Sequence, residues 1–473
     1  MAMKRAFHPV VARAARRFGR DRRGNYGTML AFVAPVLLLG AGLGVNVAQV
    51  STARSNLLAA LDSAITSTAR DISVGIIKPE DAETTINAFL IANGVRSFSE
   101  RGRITLDSVV IDRFRKTVMA EASVDVDVAF PLFGVSSTQK VSTASAARYS
   151  DRKIEVAMVL DVTGSMQKKG NTDKIGDLKG AAKDAVETLL AGNKYSADRV
   201  RVALVPYAEA VNVGSTLAKA VVFQEKNNGP VPPRNWTRPS TLDDNCATER
   251  KLQNGKADLS DDGPETVREH VTTGSNGRTT RYNYNALVNR DDWLGSCPSA
   301  SLIPLTSDKT KLDTAINGFK ASGYTAGGIA TQWGYYMLSP KWRKAIVDAK
   351  LGDGPADHDP DKIAKIAILM TDGEFNTAFP EVTRERDVNS QTTRSSNNAK
   401  ALCTAMKNDG MEIFTIGFAL PSSEGAAARS VLRDCASPDT ALTKHFYDAA
   451  TGDELRKAFR EIVHNIERLA LTQ

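Results

Sequence analysis

The 473-residue sequence has few cysteines, few histidines and few aromatic residues, and each shortage argues against one kind of chemistry. The four cysteines show no C-x-x-C spacing, which argues against a structural zinc site. None of the five histidines is paired with a cysteine, which argues against a thiol nucleophile with a histidine base. Basic and aromatic residues are not interleaved and no nucleic-acid-binding module is recognisable, so no nucleic acid partner is expected.

Acidic residues are nearly absent from the N-terminal arm, residues 1–26. Eight lysines and arginines stand in its first two dozen positions against a single acid, Asp21, and the net charge of +7 is concentrated there. The rest of the chain is near neutral, so the basic balance describes only this arm. The length allows two or three domains, and 42% hydrophobic with 24% charged residues is typical of a globular protein with a sizeable core.

A long segment without charge follows the arm. Residues 27–50 are long and apolar enough to cross the hydrocarbon layer of a membrane, about 30 Å thick, as a helix. A cleaved signal peptide would have a shorter apolar region, of about 7–15 residues, and a clear A-x-A cleavage site. The arginines before the segment predict a cytoplasmic N-terminus by the positive-inside rule, which places the bulk of the chain outside the cytoplasmic membrane.

The residues after this segment are predicted to form a connection to the rest of the chain. Apolar residues recur at helical spacing over 51–72, so the membrane helix is expected to continue as an amphipathic helix. After a short helix near 80–93, apolar and polar residues alternate in three predicted strands, 104–113, 116–130 and 139–150. Two interpretations stay open, a small α/β module and a simple stalk.

A further apolar run, Val156 to Leu160, has the length and the β-branched residues of a buried strand. The run ends in small and polar residues, among which Asp161, Thr163 and Ser165 alternate along the chain. One carboxylate and two hydroxyls can therefore converge at the carboxyl end of a central strand, where ligands bind in α/β sheets. Such hard oxygen donors suit Mg²⁺, Mn²⁺ or Ca²⁺ rather than zinc.

Two later stretches add donors to the same pattern. The apolar stretch 363–370 predicts a second buried strand, and Asp372 follows it directly after Thr371. Thr325 lies in a glycine-flanked loop just before a predicted helix at 328–339. A second carboxylate and a third hydroxyl are thus placed at the ends of elements that an α/β sheet would bring together.

Predicted strands alternate with helices from 153 to 467, and the strands are too apolar for a sheet with one solvent face. This pattern predicts an α/β fold with a doubly wound, mainly parallel sheet. Residues from about 223 to 300 break the pattern, being rich in proline and polar residues, and are interpreted as an insertion near the metal-binding face. Within it, Asp258, Asp262 and Glu269 stand where an EF-hand loop has acids. Since no flanking helices are predicted, a solvated acidic loop is favoured over a calcium site.

The four cysteines all lie in the part of the chain predicted to be outside the cytoplasm. An even count in that compartment favours two disulfides. Neighbourhood in the sequence favours Cys246–Cys297 within the insertion and Cys403–Cys435 on helices that bracket a predicted strand at 411–420. Four cysteines allow three pairings, so the connectivity stays open.

The order D-x-[ST]-x-S, then Thr, then Asp resembles the metal-ion-dependent adhesion site of von Willebrand factor A domains. The resemblance implies five metal ligands, direct or through water: Asp161, Thr163, Ser165, Thr325 and Asp372. It also implies a divalent cation, with Mg²⁺ first and Mn²⁺ or Ca²⁺ as alternatives, and one coordination position left for an acidic residue of a partner protein. The sequence departs from the family at Thr163, where serine is most frequent. Threonine retains the hydroxyl.

The segment RRGNYGTMLAFVAPVLLLGAGLGVNVAQ resembles the N-terminal segment of TadE/TadG-like proteins of Tad-type (Flp) pilus assembly, and the run from Trp333 to Pro340 is also similar to that family. Pilin-type members of that machinery are cut after a glycine and have a glutamate five residues later. Here Gly24 is followed at that position by Met29, so no prepilin processing is expected. Trp333 itself is predicted to lie in the core.

The resemblances together imply a TadG-like protein of the bacterial inner membrane with a single span and a periplasmic bulk. It is expected to bind pilus-assembly or envelope proteins, with no small-molecule substrate and no enzymatic turnover. The predicted organisation begins with a basic cytoplasmic arm (1–26) and a transmembrane helix (27–50). An amphipathic helix with a small α/β stalk module (51–150) follows. The last part is a von Willebrand factor A domain (153–467), which carries the insertion at about 223–300.

Two other functions stay open. A surface adhesin would use the same site on host or matrix proteins. A metal-dependent hydrolase or phosphotransferase would need a general base near Asp161, and Glu374 is the candidate because it follows the second strand end. The haloacid dehalogenase type of phosphotransferase is disfavoured, since it requires a second acid where Thr163 stands.

Overall fold

The computed structural model describes residues 26–94, 104–113, 115–131, 137–150, 152–194, 198–226, 229–421 and 425–472. The predicted basic arm, apart from its last residue, lies outside this part of the chain. The chain divides into two compact units. The first consists of the N-terminal part up to Ala69 together with Pro79–Arg148, and the second consists of Arg70–Lys78 together with Tyr149–Gln473.

A single long helix, α1 (Tyr26–Ser73), forms the start of the described chain. Its N-terminal half is apolar, is almost entirely exposed and is long enough to cross a membrane. Its C-terminal half is amphipathic, and Leu57, Leu61 and Ile65 on one face of it are fully buried. The prediction that the apolar helix continues as an amphipathic one is confirmed.

A short helix and a three-stranded antiparallel sheet complete the first unit. The elements are α2 (Ala82–Gly94), β1 (Ile104–Asp112), β2 (Thr117–Asp127) and β3 (Thr138–Arg148). The central strand β2 buries Val118, Ala122 and Val124, so the alternation in the sequence reflects one covered face. The three predicted strands are confirmed, and they stand beside the short helix α2 in the same unit.

The second unit contains the other strands and α-helices of the described chain. Its strands are β4 (Lys153–Asp161), β5 (Val200–Tyr207), β6 (Val211–Asn212), β7 (Val222–Gln224), β8 (Cys246–Ala247), β9 (Val267–Thr273), β10 (Thr279–Asn285), β11 (Val288–Arg290), β12 (Ile303–Thr306), β13 (Ile363–Thr371), β14 (Glu412–Phe418) and β15 (Phe446–Ala449). Its α-helices are α3 (Lys174–Ala191), α4 (Ser215–Val221), α5 (Lys309–Asn317), α6 (Gly327–Tyr336), α7 (Arg343–Asp348), α8 (Thr392–Asn408), α9 (Ala426–Cys435) and α10 (Gly452–Thr472).

Six strands form one twisted sheet in the order β12-β5-β4-β13-β14-β15. Neighbours in it are parallel except for β12, which is an antiparallel edge strand. Helices α3, α5 and α10 pack on one face, against Met158 and Leu160 of β4, while α4, α6, α7, α8 and α9 pack on the other, against Ala157 and Val159. The expectation of an α/β fold with a mainly parallel sheet is confirmed, because burial on both faces requires the nearly continuous apolar strands.

The predicted insertion lies between β7 and β12 and forms short paired strands and loops. The expectation of a solvated acidic loop is wrong for Asp258, which is buried. Its carboxylate forms ion pairs with Arg250 at 2.7 Å and Arg268 at 2.5 Å, and Arg268 also pairs with Asp262. Arginine therefore supplies the positive charge that calcium would supply in an EF-hand.

Two disulfides, Cys246–Cys297 and Cys403–Cys435, are present and contain all four cysteines of the chain. The pairing favoured by neighbourhood is confirmed. The first disulfide lies within the insertion and joins residues 51 positions apart. The second joins α8 to α9 on the same face of the sheet. Trp333 on α6 is fully buried, as predicted for a core residue.

Candidate metal centre

The predicted site residues lie on three loops at one edge of the six-stranded sheet. Asp161 is the last residue of β4, and Asp372 directly follows β13. The two strands are parallel neighbours with Leu160 opposite Met370, so both end at the same edge. This is the carboxyl edge, where ligands bind in open α/β sheets.

Backbone hydrogen bonds hold the third loop, which carries Thr325, against the end of β4. The Ser322 amide donates to the Val162 carbonyl, and the Gly164 amide donates to the Gly323 carbonyl, both at 2.9 Å. Gly323 has a φ of 75°, in the left-handed region that favours glycine. The glycine predicted to flank Thr325 is therefore required by the turn that brings this loop to the site.

A chain of short hydrogen bonds links four of the five predicted ligands. Asp161 Oδ1 accepts from the Thr163 hydroxyl at 2.6 Å and from the Thr163 amide at 2.9 Å. The Thr163 and Ser165 hydroxyls are 2.9 Å apart, and the Ser165 hydroxyl donates to Asp372 Oδ1 at 2.5 Å. Side chains from two strand ends, separated by about two hundred positions in the sequence, thus converge.

The second oxygen of Asp161 is also bonded. Asp161 Oδ2 accepts from the Thr371 hydroxyl at 2.7 Å and lies 3.4 Å from the Tyr207 hydroxyl, which also donates to the Met370 carbonyl at 3.2 Å. Burial raises the pKa of Tyr207 well above its usual value, so the phenol remains a donor at neutral pH. The carboxylate is therefore fixed in orientation from both sides.

Lys174, the first residue of α3, provides a positive charge at the site. Its ammonium group lies 2.7 Å from Asp372 Oδ2, while Asp372 itself is fully buried and Lys174 is half-buried. Asp372 is thus shared between the Ser165 hydroxyl and this ammonium group.

Thr325 is positioned by the loop that carries Asn376. The Thr325 amide donates to Asn376 Oδ1, and the Asn376 amide donates to the Thr325 carbonyl, both at 2.9 Å. This two-way pairing ties the Thr325 loop to the segment that follows Asp372. The Thr325 and Asp372 loops are therefore held together by backbone and amide contacts.

An open cavity of about 860 Å³ covers this edge of the sheet. Three predicted ligands line it, Ser165, Thr325 and Asp372, while Asp161 and Thr163 are buried behind Ser165. The other lining residues are Gly164, Gln167, Lys169, Thr172, Lys174, Gly323, Tyr324, Gly373, Glu374, Asn376, Pro421 and Gly425. No histidine is among these described lining residues, and Glu374 is the only acid besides Asp372.

The electrostatics of the cluster fit a bound cation. Burial, together with the negative charge of Asp372, raises the pKa of Asp161 from its ordinary 3.8 to about 7. Two carboxylates are therefore close together in a buried place, and the Lys174 ammonium group is bonded to one of them, Asp372. A divalent cation would relieve this repulsion, and carboxylates with hydroxyls are the oxygen donors that Mg²⁺ prefers.

The insertion supports one site loop through Glu209 and contacts another directly, from outside the cavity. Glu209, at the end of β5, accepts from the Ser296 amide at 3.1 Å and is also bonded to the Tyr324 amide beside Thr325. On the other side, buried Glu249 accepts from the Phe379 amide at 3.4 Å, in the segment after Asp372. None of the described lining residues belongs to the insertion, so it supports the site loops rather than covering them.

Several residues of the site were not identified from the sequence. Thr371 could have been noticed, since it directly precedes Asp372 and ends the same strand. Tyr207, Lys174 and Asn376 have no local signal, because their roles depend on contacts with residues distant in the sequence. In the sequence, Tyr207 resembles the other apolar residues of its strand, and Lys174 resembles a solvent-facing helix residue.

A comparison with protein families matches residues 24–71 to a family described as putative Flp pilus-assembly TadE/G-like. The match covers the apolar helix α1 and leaves the second unit outside it. It supports a pilus-related, structural role and a membrane anchor for this chain. No curated protein matches the sequence.

Among solved structures, the chain is similar to the vWF domain of the type V pili tip protein Mfa5 from Porphyromonas gingivalis, with 14% identity, 68% of this chain and 97% of that chain covered, and a TM-score of 0.37. It is similar to the pilus adhesin SpaC from Lactobacillus rhamnosus GG, with 12% identity and a TM-score of 0.34; the match covers 78% of this chain and 34% of SpaC. It is also similar to the pilus adhesin RrgA from Streptococcus pneumoniae, with 12% identity and a TM-score of 0.31; the match covers 77% of this chain and 49% of RrgA. The chain thus spans about a third of SpaC and half of RrgA. These distant likenesses assign neither fold nor function to the chain.

Proposed function

We propose that the second unit is a doubly wound von Willebrand factor A domain that binds another protein through a divalent cation. The observation that carries the proposal is the hydrogen-bonded cluster Asp161–Thr163–Ser165–Asp372, which opens on a cavity at the carboxyl edge of the sheet. The cluster has hard oxygen donors and buried negative charge, the two properties that a site for Mg²⁺ needs.

The cation would be held by Ser165, Thr325 and Asp372 from the cavity, with Asp161 and Thr163 behind them. When bound, it would supply a positive centre that accepts a carboxylate oxygen from an acidic residue of the partner. Binding of the partner's carboxylate to the cation would break no covalent bond. Binding would depend on the cation and would be reversed by a chelator.

The proposed setting is Tad/Flp-type pilus assembly at the bacterial inner membrane. The family match over residues 24–71 supports this setting, and the apolar half of α1 supports a single membrane span. We place the basic arm in the cytoplasm and the chain after the span in the periplasm by the distribution of arginine. The two disulfides fit this compartment, where disulfides persist.

A hydrolase remains the second candidate because Glu374 lines the cavity beside Asp372. It is the weaker candidate, since the Asp161 carboxylate is buried and fully engaged by hydrogen bonds and is therefore a poor nucleophile. A surface adhesin would use the same site and differ only in the partner.

The proposal is tested by calorimetric titration of the full chain, in detergent, with Mg²⁺ and Mn²⁺. The wild type should show saturable binding, and Asp161→Ala should lose it, because the Ala variant removes the carboxylate that fixes Thr163 and contributes negative charge. Asp353→Ala is the matched control, since Asp353 is exposed and precedes β13, at the opposite edge of the sheet.

Binding that is equal in the wild type, the Asp161 variant and the control would contradict the proposed site. Absence of binding in all three would also contradict it, and the second unit would then be a scaffold without a metal. If the site is established, pull-down of pilus-assembly proteins with and without a chelator identifies the partner.

A further inference from the structure

The first residues of the β2–β3 connection lie against the apolar half of α1. The Phe130 ring packs on Gly42: a Cβ atom placed on that glycine would lie 3.2 Å from the ring. Gly42 is inside the uncharged segment 27–50 predicted to cross the membrane. An aromatic side chain of the first unit thus contacts the helix within its membrane segment.

Side-chain amides of α1 fix this contact. Asn46 donates to the Phe130 carbonyl at 2.7 Å and accepts from the Phe130 amide at 3.1 Å. One turn further, Gln49 accepts from the Ala129 amide at 3.2 Å. A free amide group would be costly in lipid, and the two-way pairing satisfies both Asn46 and the Phe130 backbone where water is scarce.

Helix geometry gives the depth of this contact in the hydrocarbon layer. At about 1.5 Å per residue, a hydrocarbon layer of about 30 Å takes roughly 20 residues. A span that begins at Gly27 therefore ends near Asn46, and Gly42 lies about 6 Å inside the layer. Phe130 is 49% exposed at this level, beside the exposed apolar side chains of Leu39 and Leu43.

We propose that Phe130, with Pro131 after it, inserts into the same bilayer leaflet as the end of the α1 span and gives the first unit a second membrane contact. The occupant of this surface is phospholipid, because the surface is continuous with the lipid-facing side of α1 and the sequence has no charge from Val128 to Val135. The contact would set the depth and rotation of the unit on its anchor. This inference rests on the membrane anchoring proposed above.

The test places a nitroxide label at Phe130→Cys in the full chain, reconstituted in phosphatidylcholine–phosphatidylglycerol vesicles. All native cysteines are in disulfides, so the new thiol is labelled selectively. Collision of the label with oxygen, which partitions into lipid, and with a water-soluble nickel chelate measures its depth. The label at position 130 should have a nickel collision rate several-fold below that of a label in water.

Two control positions make the outcome unambiguous. Leu38→Cys lies in the proposed span and is 72% exposed, and Val110→Cys on β1 is 51% exposed at the opposite end of the small sheet. Lipid exposure at 38 and 130, with water exposure at 110, supports the proposal. Water exposure at 130 like that at 110, with lipid exposure at 38, overturns it and leaves the anchor intact. Water exposure at 38 and 130 overturns the anchor and this proposal together.

Discussion

Lys174 contacts a carboxylate of the proposed cation site directly. Its ammonium group lies 2.7 Å from Asp372 Oδ2, so it occupies an oxygen that a divalent cation would share, and its charge repels that cation. We expect Lys174→Met to bind Mg²⁺ more tightly, by about tenfold, which corresponds to ~1.4 kcal/mol. Calorimetric titration of the variant beside the wild type measures this difference.

Lys179→Met is the matched control for this substitution. Lys179 lies on the same helix, α3, but its ammonium group bonds to the Asn317 carbonyl and not to a site carboxylate. Its affinity for Mg²⁺ should equal that of the wild type. Weaker binding by Lys174→Met would contradict the prediction and show that Lys174 positions Asp372 for the cation.

Three parallel strands share a row of charged side chains within the sheet. Lys365 on β13 lies opposite Glu155 on β4, and Glu155 lies opposite Arg201 on β5. Lys365 Nζ donates to Glu155 Oε2 at 2.8 Å and to the Leu338 and Ala356 carbonyls at 2.7 Å, and Arg201 also pairs with Glu155. Every ammonium proton is therefore used inside the protein.

Removing one charge from this row should destabilise the second unit. Lys365→Met leaves buried Glu155 with Arg201 as its one ion-pair partner, beside the Ala356 amide, and takes a donor from two carbonyls. We expect the free energy of unfolding to fall by about 3 kcal/mol. Urea unfolding of the full chain, followed by tryptophan fluorescence, measures the loss. Lys362→Met, which removes an exposed ion pair with Asp359, should cost less than about 1 kcal/mol. Equal losses in the two variants would contradict the prediction.

The stability of the whole molecule should depend on pH through buried acids. Burial raises the pKa of Glu249 from its ordinary 4.5 to about 7. Between these values the folded protein binds more protons than the unfolded chain, so stability falls as pH rises from about 4.5 to about 7. The loss reaches at most ~3 kcal/mol from this group. Asp161 acts in the same direction when no cation is bound.

Glu249→Gln should remove this share of the pH dependence, because glutamine has the shape of glutamic acid and does not ionise. The free energy of unfolding, measured at pH 5 and pH 8 with Mg²⁺ present, should therefore change less in the variant than in the wild type. Glu187→Gln, at an exposed position on α3, should behave like the wild type. If the free energy of unfolding changes equally between pH 5 and pH 8 in all three proteins, Glu249 is not the titrating group.

The large elements of the molecule were predictable because their signals are local. The apolar runs at 156–160 and 363–370 predicted parallel strands, and the small polar residues after them predicted where donors gather. The uncharged run at 27–50 with the amphipathic spacing after it predicted α1. The cysteine pairs were predictable because each pair belongs to one neighbourhood in the chain.

What only the tertiary structure decided are the partners of charged and polar side chains. The acids at Asp258 and Asp262 have the same spacing whether calcium, water or arginine faces them, and the packing of the insertion brought Arg250 and Arg268 there. Two further contacts also join residues distant in the sequence: Lys174 bonds to Asp372, and Asn46 bonds to the Phe130 backbone. Periodicity along the chain determines which face of an element is buried, but the group that meets a buried charge comes from elsewhere in the sequence, and only folding places it.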